Sequence, residues 1–158
     1  MTVIVEGTAA PDFSLPTDDG GTFRLSDHRG SPVVVYFYPK DDTTGCTREA
    51  IDFTQLAAEF KKAGATVVGI SPDSVATHKK FRAKHELGVV LAADEGKEAL
   101  ERYGVWAEKS MYGRKYMGVE RTTVLVDGGG KVARVWSKVK VPGHADEVLA
   151  AVKALAKA

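Results

Sequence analysis

The chain has 158 residues, 44% of them hydrophobic and 27% charged, a balance that fits one soluble globular domain over residues 1–158. A single cysteine, Cys46, excludes an internal disulfide framework, a CxxC redox pair and a multi-cysteine zinc site. Lysine and arginine number 22 against 21 acidic residues, so the net charge of +1 gives no whole-molecule attraction to nucleic acid or to an acidic membrane surface.

Phe13–Leu15 and Thr22–Leu25 alternate around Asp18-Asp19-Gly20-Gly21, which predicts a hairpin, because glycine and aspartate tolerate the positive φ of tight turns. Val33–Tyr38 is continuous, β-branched and aromatic, as expected of a central strand buried on both faces. Thr66–Ile70 reads as a second such strand. Between them Cys46, Ala50, Phe53, Ala57 and Phe60 recur at helical spacing, and Gly64 is placed to stop that helix. Ser74 is a candidate N-cap for a helix to about Leu87. Val89–Ala92 predicts a short strand, Lys97–Tyr103 a short helix ended by Gly104, and Lys109–Gly118 a basic surface loop. Thr122–Val126 and Val132–Trp136 flank Asp127-Gly128-Gly129-Gly130 as a second hairpin, and Ala145–Ala158 carries apolar residues at helical offsets. Strands alternating with helices predict an α/β sandwich around a mixed sheet. The strand ending at Tyr38 should lie centrally, with its following loop at the carboxyl edge, where α/β folds place their sites.

Cys46 falls in that loop's first helical turn. Free N–H groups and the positive end of the helix dipole stabilise a thiolate there. A lone cysteine on a helix also serves as a small core hydrophobe, and residue types alone leave both readings open. The same holds nearby. Thr43 reads as a turn or cap residue, Pro39 as a strand stop, Arg121 as a solvated charge and Glu49 as part of a solvated helix face. His28, His78, His85 and His144 show no metal-binding spacing, and Gly128–Gly130 leads into a strand, which argues against a phosphate cradle.

Pro39-x-x-x-Thr43-x-x-Cys46 matches the signature of peroxiredoxins, and Phe37–Phe53, Tyr103–Gly118, Glu120–Asp127 and Lys138–Leu149 resemble the Q-type branch, also called bacterioferritin comigratory protein. The likeness runs from Pro11 to the last helix. It implies a thioredoxin-like fold with an N-terminal hairpin, and thiol-dependent reduction of hydrogen peroxide and small organic hydroperoxides without a cofactor or metal. It also implies roles. Cys46 is the nucleophile that becomes a sulfenic acid, and Thr43 bonds the peroxide oxygen and the thiolate. Pro39 shields the sulfur, Arg121 is the distal arginine and Glu49 orients it. Lowering a thiol pKa from about 8.5 to about 6 raises its thiolate fraction at neutrality about 30-fold, worth about 2 kcal/mol, whereas enzymes supply about 8–23. Donors aimed at the breaking O–O bond must provide the rest, and a guanidinium, a hydroxyl and backbone N–H groups are of that kind.

Two positions depart from the branch. Thr44 stands where a proline is common, and Ile51 where many members carry a resolving cysteine. With no second thiol in the chain, the implied mechanism is of the one-cysteine type, reduced from outside by thioredoxin, glutaredoxin or a small thiol. The alternative is a peroxide sensor or thiol relay with negligible turnover. The first ten residues show neither a basic region nor an apolar run of the secretory kind, so a cytoplasmic monomer without membrane or nucleic-acid partners is the expectation.

Overall fold

The computed structural model describes residues 4–156; Met1–Val3 and the last two residues of the expected tail helix, Lys157 and Ala158, lie outside the described residues. The Asp18–Gly21 turn folds as expected: β1 (Ser14–Pro16) pairs antiparallel with β2 (Thr22–Arg24), and Leu15 faces Phe23. β3 (Val33–Phe37), apolar throughout, is buried along its whole length. α1 (Thr44–Gln55) and α2 (Ala57–Lys62) lead to β4 (Thr66–Ser71), and α3 (Val75–His85) to β5 (Val90–Ala93). α4 (Glu98–Arg102) precedes the β6 (Trp106–Met111) and β7 (Arg114–Val119) pair. β8 (Thr122–Val126), β9 (Val132–Trp136) and α5 (His144–Ala156) close the chain.

The main sheet has the order β5-β4-β3-β8-β9, with β3 and β5 parallel to β4 and β8 antiparallel to β3. This is the expected mixed sheet with β3 at its centre. Strand alternation divides the core into two layers. Val33, Val35 and Phe37 face a cluster with Phe13, Phe23 and Leu100; Val34, Tyr36 and Tyr38 face one built from Phe53, Phe60, Phe81 and Val148. Cys46 belongs to the second layer. Among the described residues no helix is long and apolar enough to cross a membrane.

Two expectations are corrected. The single helix expected from Cys46 to Gly64 is two. Thr54 donates its hydroxyl to the Ala50 carbonyl (2.7 Å) and accepts the Gly88 N–H (3.0 Å), and such back-bonding bends helices. The break follows at Leu56, where φ is −99° and ψ 5°. The Lys109–Gly118 loop is an antiparallel hairpin, β6 with β7, closed by Tyr112 and Gly113, both at positive φ (53° and 76°). Positive φ at both central residues is the hairpin-turn geometry that matches strand twist. The strands went unseen because their residues are mostly exposed and so lack an apolar period. Smaller shifts are one residue each: β5 begins at Val90, and α5 at His144.

Gly69 shows how tightly the second layer is filled. It pairs with Tyr36 in the β3–β4 register, and a Cβ there would lie 2.6 Å from the Tyr36 ring. Tyr36 is wholly buried, stacked on Phe53 at 4.8 Å, so the ring has nowhere to go. Gly69→Ala is expected to cost about 1–3 kcal/mol of stability by overpacking, read as a lowered urea midpoint at unchanged slope. An unchanged midpoint refutes this account.

Candidate active site

β3 ends at Phe37, and the chain passes through Tyr38, Pro39 and the Lys40–Thr43 turn into α1. Thr43 is the N-cap, with extended backbone (φ −90°, ψ 158°), and the first intrahelical bond runs from the Thr47 N–H to the Thr43 carbonyl (2.8 Å). Cys46 therefore lies in the first turn, among N–H groups that precede the helical ladder. Its side chain turns inward and the residue is 2% exposed.

The β3–β8 register brings the distant arginine to this turn. Phe37 pairs with Thr122, so Arg121, one residue earlier, arrives beside the loop that leaves β3. Its Nη2 donates toward Cys46 Sγ at 3.3 Å and its Nη1 to Glu49 Oε1 at 2.6 Å. Glu49, about one helical turn beyond Cys46 on the same face of α1, is 1% exposed. The carboxylate fixes the guanidinium, which faces the sulfur with one of its two amino groups. A core hydrophobe needs no such neighbour. Burial disfavours the charge on Arg121, but Glu49 and Cys46 outweigh it and the arginine is held above its ordinary range. Lys109, on β6, is pushed below its ordinary range by burial and by the nearby Arg121.

Of the residues expected from the sequence, Cys46, Glu49 and Arg121 meet directly. Thr43 and Pro39 lie in the same loop without touching the sulfur through a hydrogen bond. The Thr43 hydroxyl donates to the Lys40 carbonyl at 2.8 Å, and Pro39 is half-buried at the loop's start. Ile51 is half-buried and packs against the second core layer. Gly45 was not singled out, yet a Cβ on it would stand 3.1 Å from Arg121 Nη2. A glycine directly before the cysteine gives the guanidinium room to cross the helix end, and that spacing was the available signal.

Burial also acts on the Glu49 carboxyl itself. Burial pushes its carboxyl up to about 7, although Arg121 pulls the other way, and its Oε2 has no hydrogen-bond partner. The folded protein binds this proton more tightly than the unfolded chain. Its contribution to stability is fully present below about pH 4.5 and is lost as pH rises through about 7. Glu49→Gln, which has no proton to lose, should lack that decline. Urea unfolding at about pH 5 and about pH 8 should move the stability difference in the variant's favour on the order of 3 kcal/mol. Parallel pH dependence of the two proteins would contradict the assignment.

Comparison with known proteins follows the same lines. The AhpC/TSA family model matches residues 7–135. The chain is 50% identical over 160 aligned positions to peroxiredoxin Bcp of Xanthomonas campestris, covering 99% of each. It is 48% identical over 143 residues to a putative peroxiredoxin Bcp of Coxiella burnetii, covering 90% of this chain and 95% of that one. Among solved structures, the Xanthomonas campestris bacterioferritin comigratory protein, described for alkyl peroxide reduction from trapped intermediate and ligand complexes, superposes with a TM-score of 0.90 at 43% identity, over 96% of this chain and 99% of that one.

Proposed function

The chain belongs to the AhpC/TSA family, in its peroxiredoxin Q or bacterioferritin comigratory protein branch, and on that premise we propose that Cys46 is the nucleophile of its thiol-dependent peroxidase activity. The observation that carries the assignment is the guanidinium of Arg121 on the sulfur, held by a buried carboxylate. The thiolate attacks the terminal oxygen of ROOH. An S–O bond forms, the O–O bond breaks, and RO⁻ leaves to take up a proton as ROH, leaving Cys46–SOH. Charge moves from sulfur to the departing oxygen. Arg121 faces the starting charge and the first-turn N–H groups flank it, so both are set to follow it. With its own hydrogen committed to the Lys40 carbonyl, the Thr43 oxygen is free to accept the O–H of a peroxide. Pro39 keeps water from one side of the sulfur. Small alkyl hydroperoxides and hydrogen peroxide are the substrates of this reading.

Cys46 is the chain's single cysteine, so the sulfenic acid condenses with a thiol from outside, releasing water and giving a mixed disulfide. A second thiol resolves that disulfide and restores Cys46. The balance is ROOH + 2 R′SH → ROH + H₂O + R′SSR′. Steady consumption of peroxide by the reduced protein with a thiol is expected, and loss of it by at least 10³-fold in Cys46→Ser. Turnover undiminished in the serine variant defeats the assignment. Stoichiometric oxidation without turnover, with every reductant of a panel, supports the sensor instead.

Of the reductant classes, we favour a protein dithiol with an acidic face. The β6–β7 hairpin runs directly into Arg121 through Glu120, and exposes Met111, Tyr112, Tyr116 and Met117. Around them lie Lys109, Arg114 and Lys115 against one acidic residue of the hairpin, Glu108. Aromatic and methionine side chains beside arginine and lysine are the composition of a docking surface. A free unpaired thiol belongs in a reducing compartment, which agrees with a cytoplasmic monomer meeting its reductant there. Reversing charge with Lys115→Glu together with Tyr112→Ser should slow reduction by such a protein about tenfold or more, most at low salt. Reduction by a small neutral thiol should be unaffected. Equal losses with both reductants would place the effect in the chemistry and not in docking.

A further inference from the structure

Asp41 lies midway between Pro39 and Thr43, in the loop that carries the site, yet its side chain points into the protein and is 1% exposed. Oδ1 accepts the Tyr38 hydroxyl at 2.6 Å, and Oδ2 lies 2.5 Å from Nδ1 of His78 on α3. The Asp41 N–H donates to Asp73 Oδ2 (2.8 Å), which also accepts the Ser71 hydroxyl (2.7 Å). His78 is fully buried, and its Nε2 is 3.0 Å from the carbonyl oxygen of Ala92 on β5.

This arrangement counts protons. A carbonyl only accepts. The Asp41 carboxylate already accepts from Tyr38 and has no hydrogen to give. A neutral imidazole between these two oxygens would set its lone pair against one of them, and the ring is buried out of reach of bulk solvent. The ring is the more basic of the two groups, so it carries both hydrogens and is an imidazolium. The groups facing it are Asp41 from the loop, Tyr38 from the end of β3 and Asp73 from the link between β4 and α3, while β5 offers only a carbonyl. Burial opposes the ring's charge, but Asp41 outweighs it and holds the imidazole above its usual range. Donor atoms of Asp41, Asp73 and His78 lie within 4.8 Å of one another, as in a metal cluster. An imidazole that donates from both nitrogens, however, has no lone pair for a cation.

We propose that His78 is a positioning residue for the catalytic loop: as an imidazolium paired with Asp41 it holds the Pro39–Thr43 turn closed over Cys46, and release of that pair exposes the sulfur to an external thiol. The closed arrangement suits the peroxide step, because it aligns Thr43 and the first turn of α1. It does not suit the return step. An attacking thiolate must approach the sulfur in line with the S–O bond, and the sulfur is 2% exposed. The loop has to move. The loop's other anchors are the Asp41 N–H on Asp73 and, nearer the surface, Asp42 with Lys84 and His85, where solvent screens the charges; the Asp41–His78 contact is the buried ionic restraint among them.

The kinetic consequence rests on Cys46 being the nucleophile; the proton count does not. Long-range ¹H–¹⁵N spectra of the reduced wild-type protein should show both His78 nitrogens protonated at neutral pH, persisting above the range of an ordinary histidine. In Asp41→Asn and in His78→Gln, Cys46 should be alkylated by iodoacetamide about tenfold faster than in the wild type, and a single turnover with peroxide should be about tenfold slower. The ratio of Asp41→Asn to wild-type alkylation rates should fall toward one as pH rises through the His78 titration. A merely structural role would not move that ratio. A His78 with one ring proton at neutral pH overturns the proposal. So does equal alkylation in variant and wild type with both nitrogens protonated. Should either variant unfold, the ratio for the other variant and the proton count still decide. If instead Cys46→Ser keeps full turnover, the nucleophile assignment fails while the spectra keep their meaning.

Discussion

The contact on which this molecule turns is one guanidinium shared between a sulfur and a carboxylate. Arg121 reaches Cys46 and Glu49 together, at 3.3 and 2.6 Å, from a different part of the chain. Each partner alone would be costly to charge where it lies, because Cys46 and Glu49 are both buried away from water. Joined through the arginine they become a unit whose geometry is fixed from two sides. Glu49 is still driven toward its neutral form by burial, which leaves the guanidinium's positive charge free to act on the sulfur.

The sheet makes that meeting possible. The antiparallel register of β3 with β8 sets Thr122 opposite Phe37, so the residue entering β8 and the loop leaving β3 share one edge of the sheet. The parallel β3–β4–β5 half sends α1, α2 and α3 back across one face, where Tyr36, Phe53 and Phe60 pack beneath the site. Glycine appears where side chains must approach closely: Gly69 under the Tyr36 ring and Gly45 under the Arg121 guanidinium. Both are packing constraints that would be invisible as local propensity.

A chain with one thiol asks opposite things of one loop. Attack on a peroxide favours a buried, dry and fixed sulfur. Return of electrons from another molecule favours an accessible one. The Asp41–His78 pair places the balance between the two on a single buried proton, held between the loop that carries the site and α3. The β6–β7 hairpin carries exposed aromatic and basic groups and leads through Glu120 into Arg121.

The sequence by itself determined the elements with an apolar period: the fully buried Val33–Phe37 strand, the two glycine-rich hairpins, the Ser74 cap, and Cys46 in the first turn of a helix. The Pro39–Thr43–Cys46 spacing and the stretches around Arg121 were legible through likeness to a family, because spacing along a chain is preserved whatever the fold does with it. The break at Leu56, the β6–β7 strands, Gly45's clearance and the inward turn of Asp41 were decided only by tertiary structure. Each depends on a partner many residues away: Gly88 for Thr54, the facing strand for Tyr116, Arg121 for Gly45 and His78 for Asp41. Local sequence reports which face of an element is apolar. Which buried polar group meets which is fixed by strand register and helix packing, and a group that is expensive to bury alone is settled only by the neighbour the fold supplies.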